Sequence, residues 1–211
     1  MPDFDDFRAL VMGSRSCRRF RQDRPVTMAE LTALAELARF CPSAANLQPL
    51  KLILASSPET CARIFPALGW AAYLTGWRGP AEGERPTGYV IILHDTELAK
   101  NPNCDHGILA QTVCLGAAAM GFSACMIASM DKKALRAAFA LPERYELLLV
   151  LALGTRGEEC VVEDVGEGDN IRYWRDPAGL HHVPKRTLAE LVLARYPSSD
   201  LPPTTESGIS M

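Results

Sequence analysis

The run Asp105-His106-Gly107-Ile108-Leu109-Ala110-Gln111-Thr112-Val113-Cys114-Leu115-Gly116-Ala117-Ala118-Ala119-Met120-Gly121 decides how the chain must be assembled. Asp105 is suited to cap the start of a helix and Gly121 to end it. Between them almost every position is apolar or small, with Gln111 and Thr112 as the main exceptions. A helix that is apolar on every side has to be covered on every side. Cys114, Gly116, Ala117, Ala118 and Ala119 are small enough for another helix to come close. The run therefore predicts either the central helix of the domain or a helix that also builds a subunit interface.

Elements of both kinds surround it. Toward the N-terminus, residues 5–12 suit a short helix, and Thr27-x-x-Glu30 is a capping box ahead of Leu31, Leu34, Leu37 and Ala38 at helical spacing. Pro42 stops that helix. Leu50 to Ala55 reads as a buried strand, Ser57-Pro58 as a helix start, and Tyr89 to Leu93 as another apolar strand. Toward the C-terminus come a strand over Phe122 to Ile127, a helix capped by Asp131 and running to Phe139, a buried strand over Leu147 to Leu153, and a last helix over Leu188 to Leu193. Helices and strands interleave without strict alternation, which predicts an α+β layer fold. No G-x-G-x-x-G joins a strand to a helix, so a Rossmann dinucleotide site is disfavoured. Neither a repeat nor a linker divides the chain. One domain over residues 1–195 is expected, followed by a polar Pro/Ser/Thr-rich tail over 196–211.

Composition narrows the class. The 211 residues are 48% hydrophobic and 22% charged, as in an ordinary globular domain. A formal net charge of -3 leaves no basic excess for nucleic acid. No run approaches the roughly 18 apolar residues that a membrane span needs. Met1 to Phe7 carries three aspartates and no apolar segment, unlike a secretory signal. The seven cysteines are scattered with no C-x-x-C pair, which suits reduced thiols and predicts a cytoplasmic protein without structural disulfides.

Two clusters carry chemistry. In Ser14-Arg15-Ser16-Cys17-Arg18-Arg19-Phe20, Arg15 and Arg18 flank a hydroxyl, and forked, permanently charged donors suit a phosphate. Alone, the same run also reads as a solvated basic turn. In Cys41-Pro42-Ser43-Ala44-Ala45-Asn46-Leu47-Gln48-Pro49, neutral donors and acceptors sit on a loop pinned by two prolines. Such a loop can match the carbonyls and ring nitrogens of a heterocycle, or be a turn bonded to itself.

Together, Arg-Ser-x-Arg followed by Pro-Ser-x-x-Asn-x-Gln-Pro and an apolar strand resembles the FMN-binding nitroreductase family. The apolar helix from Asp105, Gly121-Phe122, the segment Met126 to Asp131, Leu141-Pro142, Leu151 to Gly154 and Lys185-Arg186 follow in that family's order. The resemblance covers about residues 8 to 195 and implies a three-layer α-β-α sandwich in an intertwined homodimer, with flavins at the interface. It further implies that Arg15 and Ser16 contact the FMN phosphate or ribityl chain and that Arg18 lies beside the pyrimidine edge of the ring. Pro42, Ser43, Ala44 and Asn46 would reach the flavin of the other subunit. Ile127, Ala128 and Ser129 would lie along the ring, and Lys185 and Arg186 would return to the phosphate. NADH or NADPH would visit as transient hydride donor, with a nitroaromatic or quinone as acceptor and no protein nucleophile, acid or base required. Flavin fragmentation, dehalogenation, azoline oxidation, or FMN binding without turnover are the alternatives on the same fold. Three positions depart from the pattern: Ser14 replaces a common arginine, Leu50 a common aromatic, and a glycine is missing near Ser129.

His181-His182 invites a metal reading, but adjacent residues of a strand point apart and no further ligand stands at the right spacing. The aromatic stretch from Gly69 to Gly88, with Trp70, Tyr73 and Trp77, reads equally as a loop pinned into the core or as a lid. Asp169 to Trp174 is a second aromatic, polar loop suited to the same mouth.

Overall fold

A computed structural model describes residues 3–196, so the expected tail lies outside the described residues from 197 onward. The chain runs α1 (Phe4–Gly13), β1 (Phe20–Arg21), α2 (Met28–Ala38), β2 (Leu50–Ala55), α3 (Pro58–Ile64), β3 (Gly88–Asp95), α4 (Asp105–Ala119), β4 (Ser123–Ile127), α5 (Lys132–Ala138), β5 (Tyr145–Arg156), β6 (Cys160–Val165), β7 (Trp174–Arg175), β8 (His181–Arg186) and α6 (Leu188–Leu191). Among the described residues, no helix is long and apolar enough to cross a membrane.

Strand β3 organises the layers because every one of its residues is buried. Tyr89, Ile91 and Leu93 face a core completed by Cys61 and Ile64 of α3 and Leu135 of α5. Val90 and Ile92 face the opposite core, with Leu31 and Leu34 of α2 and Leu109, Ala110, Val113 and Ala117 of α4. The two-residue period of a strand thus feeds two apolar layers, and the α-β-α sandwich follows. Burying each large side chain contributes roughly 1.5–3 kcal/mol.

The main sheet is antiparallel, in the order β1-β5-β3-β2, with β4 also on β5. The long β5 pairs with β3 on one side; on the other it pairs first with β4 and then with β1. Strand β2 is an edge, so its leucines are only half-buried against the α2–α4 layer rather than enclosed as their run of apolar residues suggests.

The local start and stop signals act as their chemistry dictates. Thr27 and Glu30 form the reciprocal capping box, Ser57 caps α3 ahead of Pro58, and Asp131 accepts from the amide of Ala134. Gly121, at φ 81°, turns the chain left-handed, and the amide of Phe122 returns to the carbonyl of Ala117 at 2.8 Å, closing α4. At the other end of α4 the expectation fails: Cys104 occupies the cap position, and Asp105 is the first helical residue with its side chain turned elsewhere. A Cβ added to Gly116 would stand 2.8 Å from a methyl of Leu37 and 2.9 Å from one of Leu34, so the small residues of α4 admit α2. The remaining side of α4 is not fully covered: Gly107, Gln111 and Ala119 are exposed, and Ile108, Leu115 and Ala118 are half-buried.

A second, three-stranded sheet in the order β6-β8-β7 has no counterpart in the sequence reading. Its strands are short or mixed in polarity, and β8 contains Pro184, a residue that usually argues against a central strand. Proline is tolerated there because β7 pairs only with His181 and His182, leaving Pro184 beyond its reach.

Candidate active site

After α1 the chain is fastened in extended form along the main sheet. The amide of Cys17 donates to the carbonyl of Ala124 at 3.1 Å, and that of Gly157 donates to Arg19 at 2.8 Å. Buried Cys17 anchors this segment. Arg15, Ser16 and Arg18 line one wall of a hollow of about 380 Å³. The opposite walls come from Gln111 and Cys114 of α4, Met126 of β4, and Tyr173, His181 and Lys185 of the C-terminal sheet and its loop. A smaller hollow of about 150 Å³ shares Arg18, Met126 and Tyr173 with it and continues past Gly69, Trp70, Ile127, Ala128 and Ser129. The expected Arg15, Ser16, Arg18, Ile127, Ala128, Ser129 and Lys185 therefore share one continuous groove.

Its electrostatics are positive. Among the described residues, no carboxylate lies within ion-pair distance of Arg15, Arg18 or Lys185. Arg15 spends one Nη2 proton on the carbonyl of Val11 at 2.7 Å, while its buried Nε has no partner. Arg18 lies 4.5 Å over the ring of Tyr173, and its Nη1 donates to Nε2 of His181 at 3.0 Å. Burial, reinforced by the Arg18 charge, pulls the His181 pKa down to about 4, so this imidazole is neutral; because Nε2 accepts from the guanidinium, its proton sits on Nδ1. Nδ1 is buried without a partner, as is Nε1 of Trp70. Cations without carboxylate partners along the groove suit an anionic ligand.

Sequence reasoning set the Tyr173 loop at this mouth and weighed His181 only as a metal ligand, but it missed Glu158 and Arg175 altogether. The buried carboxylate of Glu158 accepts the amide of Arg18 and, at 2.6 Å, Nη2 of Arg175. Arg175 in turn lies 4.9 Å over Trp77. Tyr173, His181, Glu158 and Arg175 stand far from Arg18 in the chain, and no local motif joins them. The two histidines do point apart as expected: His181 meets Arg18, and His182 bonds Glu163 at 2.5 Å.

Two groups of expected residues stand apart from the groove. Arg186 pairs with Glu190 and borders a further hollow with Ile171, Pro184 and Leu191 that shares only Lys185 with the groove. Pro42 and Ser43 line another cavity, of about 220 Å³, with Arg39, Lys51 and Asp105. The Ser43 hydroxyl donates to Asp105 and accepts from the amide of Gln48, so its proton is engaged within the chain. Ala45, Asn46 and Gln48 all adopt positive φ, which holds this loop in a tight, strained shape.

Near Ser129, where the family's common glycine is missing, Gly69 makes a close approach instead. A Cβ on Gly69 would stand 2.4 Å from Ser129 Oγ, and the Gly69 amide donates to the Ser129 carbonyl at 2.7 Å. Both readings of the 69–88 stretch find residues to carry them. Trp70 is buried, 5.8 Å from Phe65, whereas exposed Tyr73 packs 5.0 Å from Tyr173 at the groove.

The family model described as "Nitroreductase family" matches residues 11–155. This chain belongs to the nitroreductase family. Similar proteins include the "Putative NAD(P)H nitroreductase YdgI" of Bacillus subtilis, 23% identical over 81% of this chain and 98% of its own. Among solved structures, an FMN-dependent nitroreductase of Clostridium difficile R20291 aligns with a TM-score of 0.57 at 20% identity, covering 72% of this chain and 88% of its own. CLA-ER, an enone reductase of gut-bacterial fatty acid saturation, aligns with a TM-score of 0.62 at 19% identity, covering 74% and 90%. The sandwich of this nitroreductase-family chain is thus the family fold. Glu158, Tyr173, Arg175, His181 and Lys185 lie beyond the matched stretch.

Proposed function

We propose that this chain is an FMN oxidoreductase that takes hydride from NADH or NADPH and passes reducing equivalents to a small planar acceptor such as a nitroaromatic or quinone. The observation that carries the reading is the groove itself, where Arg15, Arg18 and Lys185 line one hollow with no carboxylate paired to them among the described residues. The names of the Bacillus subtilis and Clostridium difficile proteins support both the cofactor and the donor.

Bound FMN supplies the hydride chemistry at N5 of its ring. Arg15 and Lys185 would hold the phosphate, with Ser16 beside them. Arg18 would place a fixed cation at the pyrimidine edge, where negative charge builds on reduction. Ile127, Ala128 and Ser129 would lie along the ring and Tyr173 would shield it from water. No acid, base or nucleophile of the chain is assigned. The loop of Pro42, Ser43, Ala44 and Asn46 lies apart from the groove of its own protomer, which fits a homodimer in which it serves the partner's flavin. The seven cysteines are all free thiols, in keeping with a cytoplasmic enzyme.

The absorbance spectrum of the purified protein tests this. A flavin spectrum that bleaches with NADH or NADPH under argon is expected. A colourless protein that takes up no FMN would overturn the reading, and a yellow protein that neither nucleotide bleaches would reduce it to a flavin-binding protein.

A further inference from the structure

The side chain that faces the ligand groove as its central cation does not hold itself in place. Arginine has many rotamers, and an unrestrained guanidinium would spread its charge over several positions. Here Arg18 is fixed from three directions. The Tyr173 ring lies beneath its guanidinium at 4.5 Å. His181 Nε2 accepts from Nη1 at 3.0 Å. The Glu158 carboxylate, itself held by Arg175 at 2.6 Å, accepts its backbone amide. All of these come from the chain beyond the stretch that the family model matches.

Resting on the FMN reading above, we propose that His181 is the positioning residue for the flavin's cation: its Nε2, delivered by β8 of the C-terminal sheet, fixes the Arg18 guanidinium at the ring. The chemistry of the contact is specific. A guanidinium only donates, so the ring nitrogen that meets it must be an acceptor, which requires the tautomer protonated on Nδ1. A neutral acceptor holds Arg18 without cancelling its charge, whereas a carboxylate in the same place would pair with the cation and blunt its effect on the flavin. His181 is wholly buried and tilts against Tyr173 at 5.5 Å between ring centres, so the imidazole cannot turn away.

The test is the flavin midpoint potential of the loaded protein, with FMN affinity measured alongside. His181→Phe keeps the ring and its contact with Tyr173 but removes the acceptor. It should still bind FMN while losing about tenfold of the preference for reduced over oxidised cofactor, equivalent to a potential about 30 mV more negative. His181→Gln, whose amide oxygen can accept from Arg18, should restore most of that loss. An unmoved potential in His181→Phe, or equal losses in both variants, would overturn the proposal. Should His181→Phe not fold, nitrogen-detected imidazole resonances of the unmodified protein decide the matter. Unprotonated Nε2 with protonated Nδ1 at neutral pH is expected, and the opposite tautomer would overturn it. Failure of the unmodified protein to take up FMN would instead remove the functional reading on which the proposal rests.

Discussion

Ser43 Oγ donates to Asp105 Oδ2 at 2.6 Å, while Oδ1 of the same carboxylate accepts the amide of Ala44 at 3.1 Å. The first residue of α4 therefore anchors a strained loop that lies far from it in the chain. Asp105→Asn preserves the volume but faces one of these donors with an NH2 group. A loss of about 1–3 kcal/mol in stability is expected from the unsatisfied buried groups. Denaturant unfolding would show it, and an unchanged midpoint would mean that the loop holds its shape without the tether.

The phosphate assignment separates Arg15 and Lys185 from Arg186. Arg15→Ala and Lys185→Ala should each weaken FMN binding by roughly tenfold to a hundredfold, the worth of one charge-assisted hydrogen bond of roughly 1.5–3 kcal/mol, and leave riboflavin binding nearly unchanged. Arg186, already paired with Glu190, should matter far less. Fluorescence titration with both ligands checks this; equal losses for FMN and riboflavin would return the Arg15 segment to a solvated basic turn.

Gly69 and Ser129 should be energetically coupled. In Gly69→Ala the new methyl would sit 2.4 Å from Ser129 Oγ, so the variant should be destabilised by about 1–3 kcal/mol through overpacking. Adding Ser129→Gly should recover most of that loss. A double-mutant cycle measured by thermal unfolding reads the coupling, and purely additive effects would contradict the close approach.

The paired histidines of β8 should give pH dependences of opposite sign. Burial holds His181 neutral down to about 4, whereas the unfolded imidazole titrates near pH 6.5. Between roughly those values the unfolded chain binds the extra proton, so the stability tied to His181 is complete above about 6.5 and falls as the solution is acidified, by up to roughly 3 kcal/mol. The bond to Glu163 raises the pKa of His182 instead. Its contribution is complete below the unfolded value and is lost as the pH rises through the folded one. His181→Gln should flatten the acid limb of a Tm–pH curve, and His182→Gln the limb above the unfolded imidazole value of about 6.5. The same curve for both variants would show that neither imidazole is held as the structure has it.

What the sequence by itself determined is what short-range chemistry controls. The capping box at Thr27 and Glu30, the Ser57-Pro58 start, the Asp131 cap and the left-handed stop at Gly121 are each decided within a few residues. The apolar strand around Tyr89 and the apolar run of α4 demanded cover on both faces, and the layered sandwich is the response to that demand. The Arg15 and Arg18 wall was legible because both residues lie in one short extended segment. Tertiary structure alone decided which groups hold them. Tyr173, His181 and Glu158, itself held by Arg175, reach Arg18 only after the C-terminal sheet has folded, and that sheet left no readable period because its strands are short, mixed in polarity and interrupted by Pro184. Asp105 shows the same limit at a single residue: local propensity makes it a cap, but the donors of Ser43 and Ala44, brought near by the packing of α2 on α4, hold its carboxylate more directly than its own helix could.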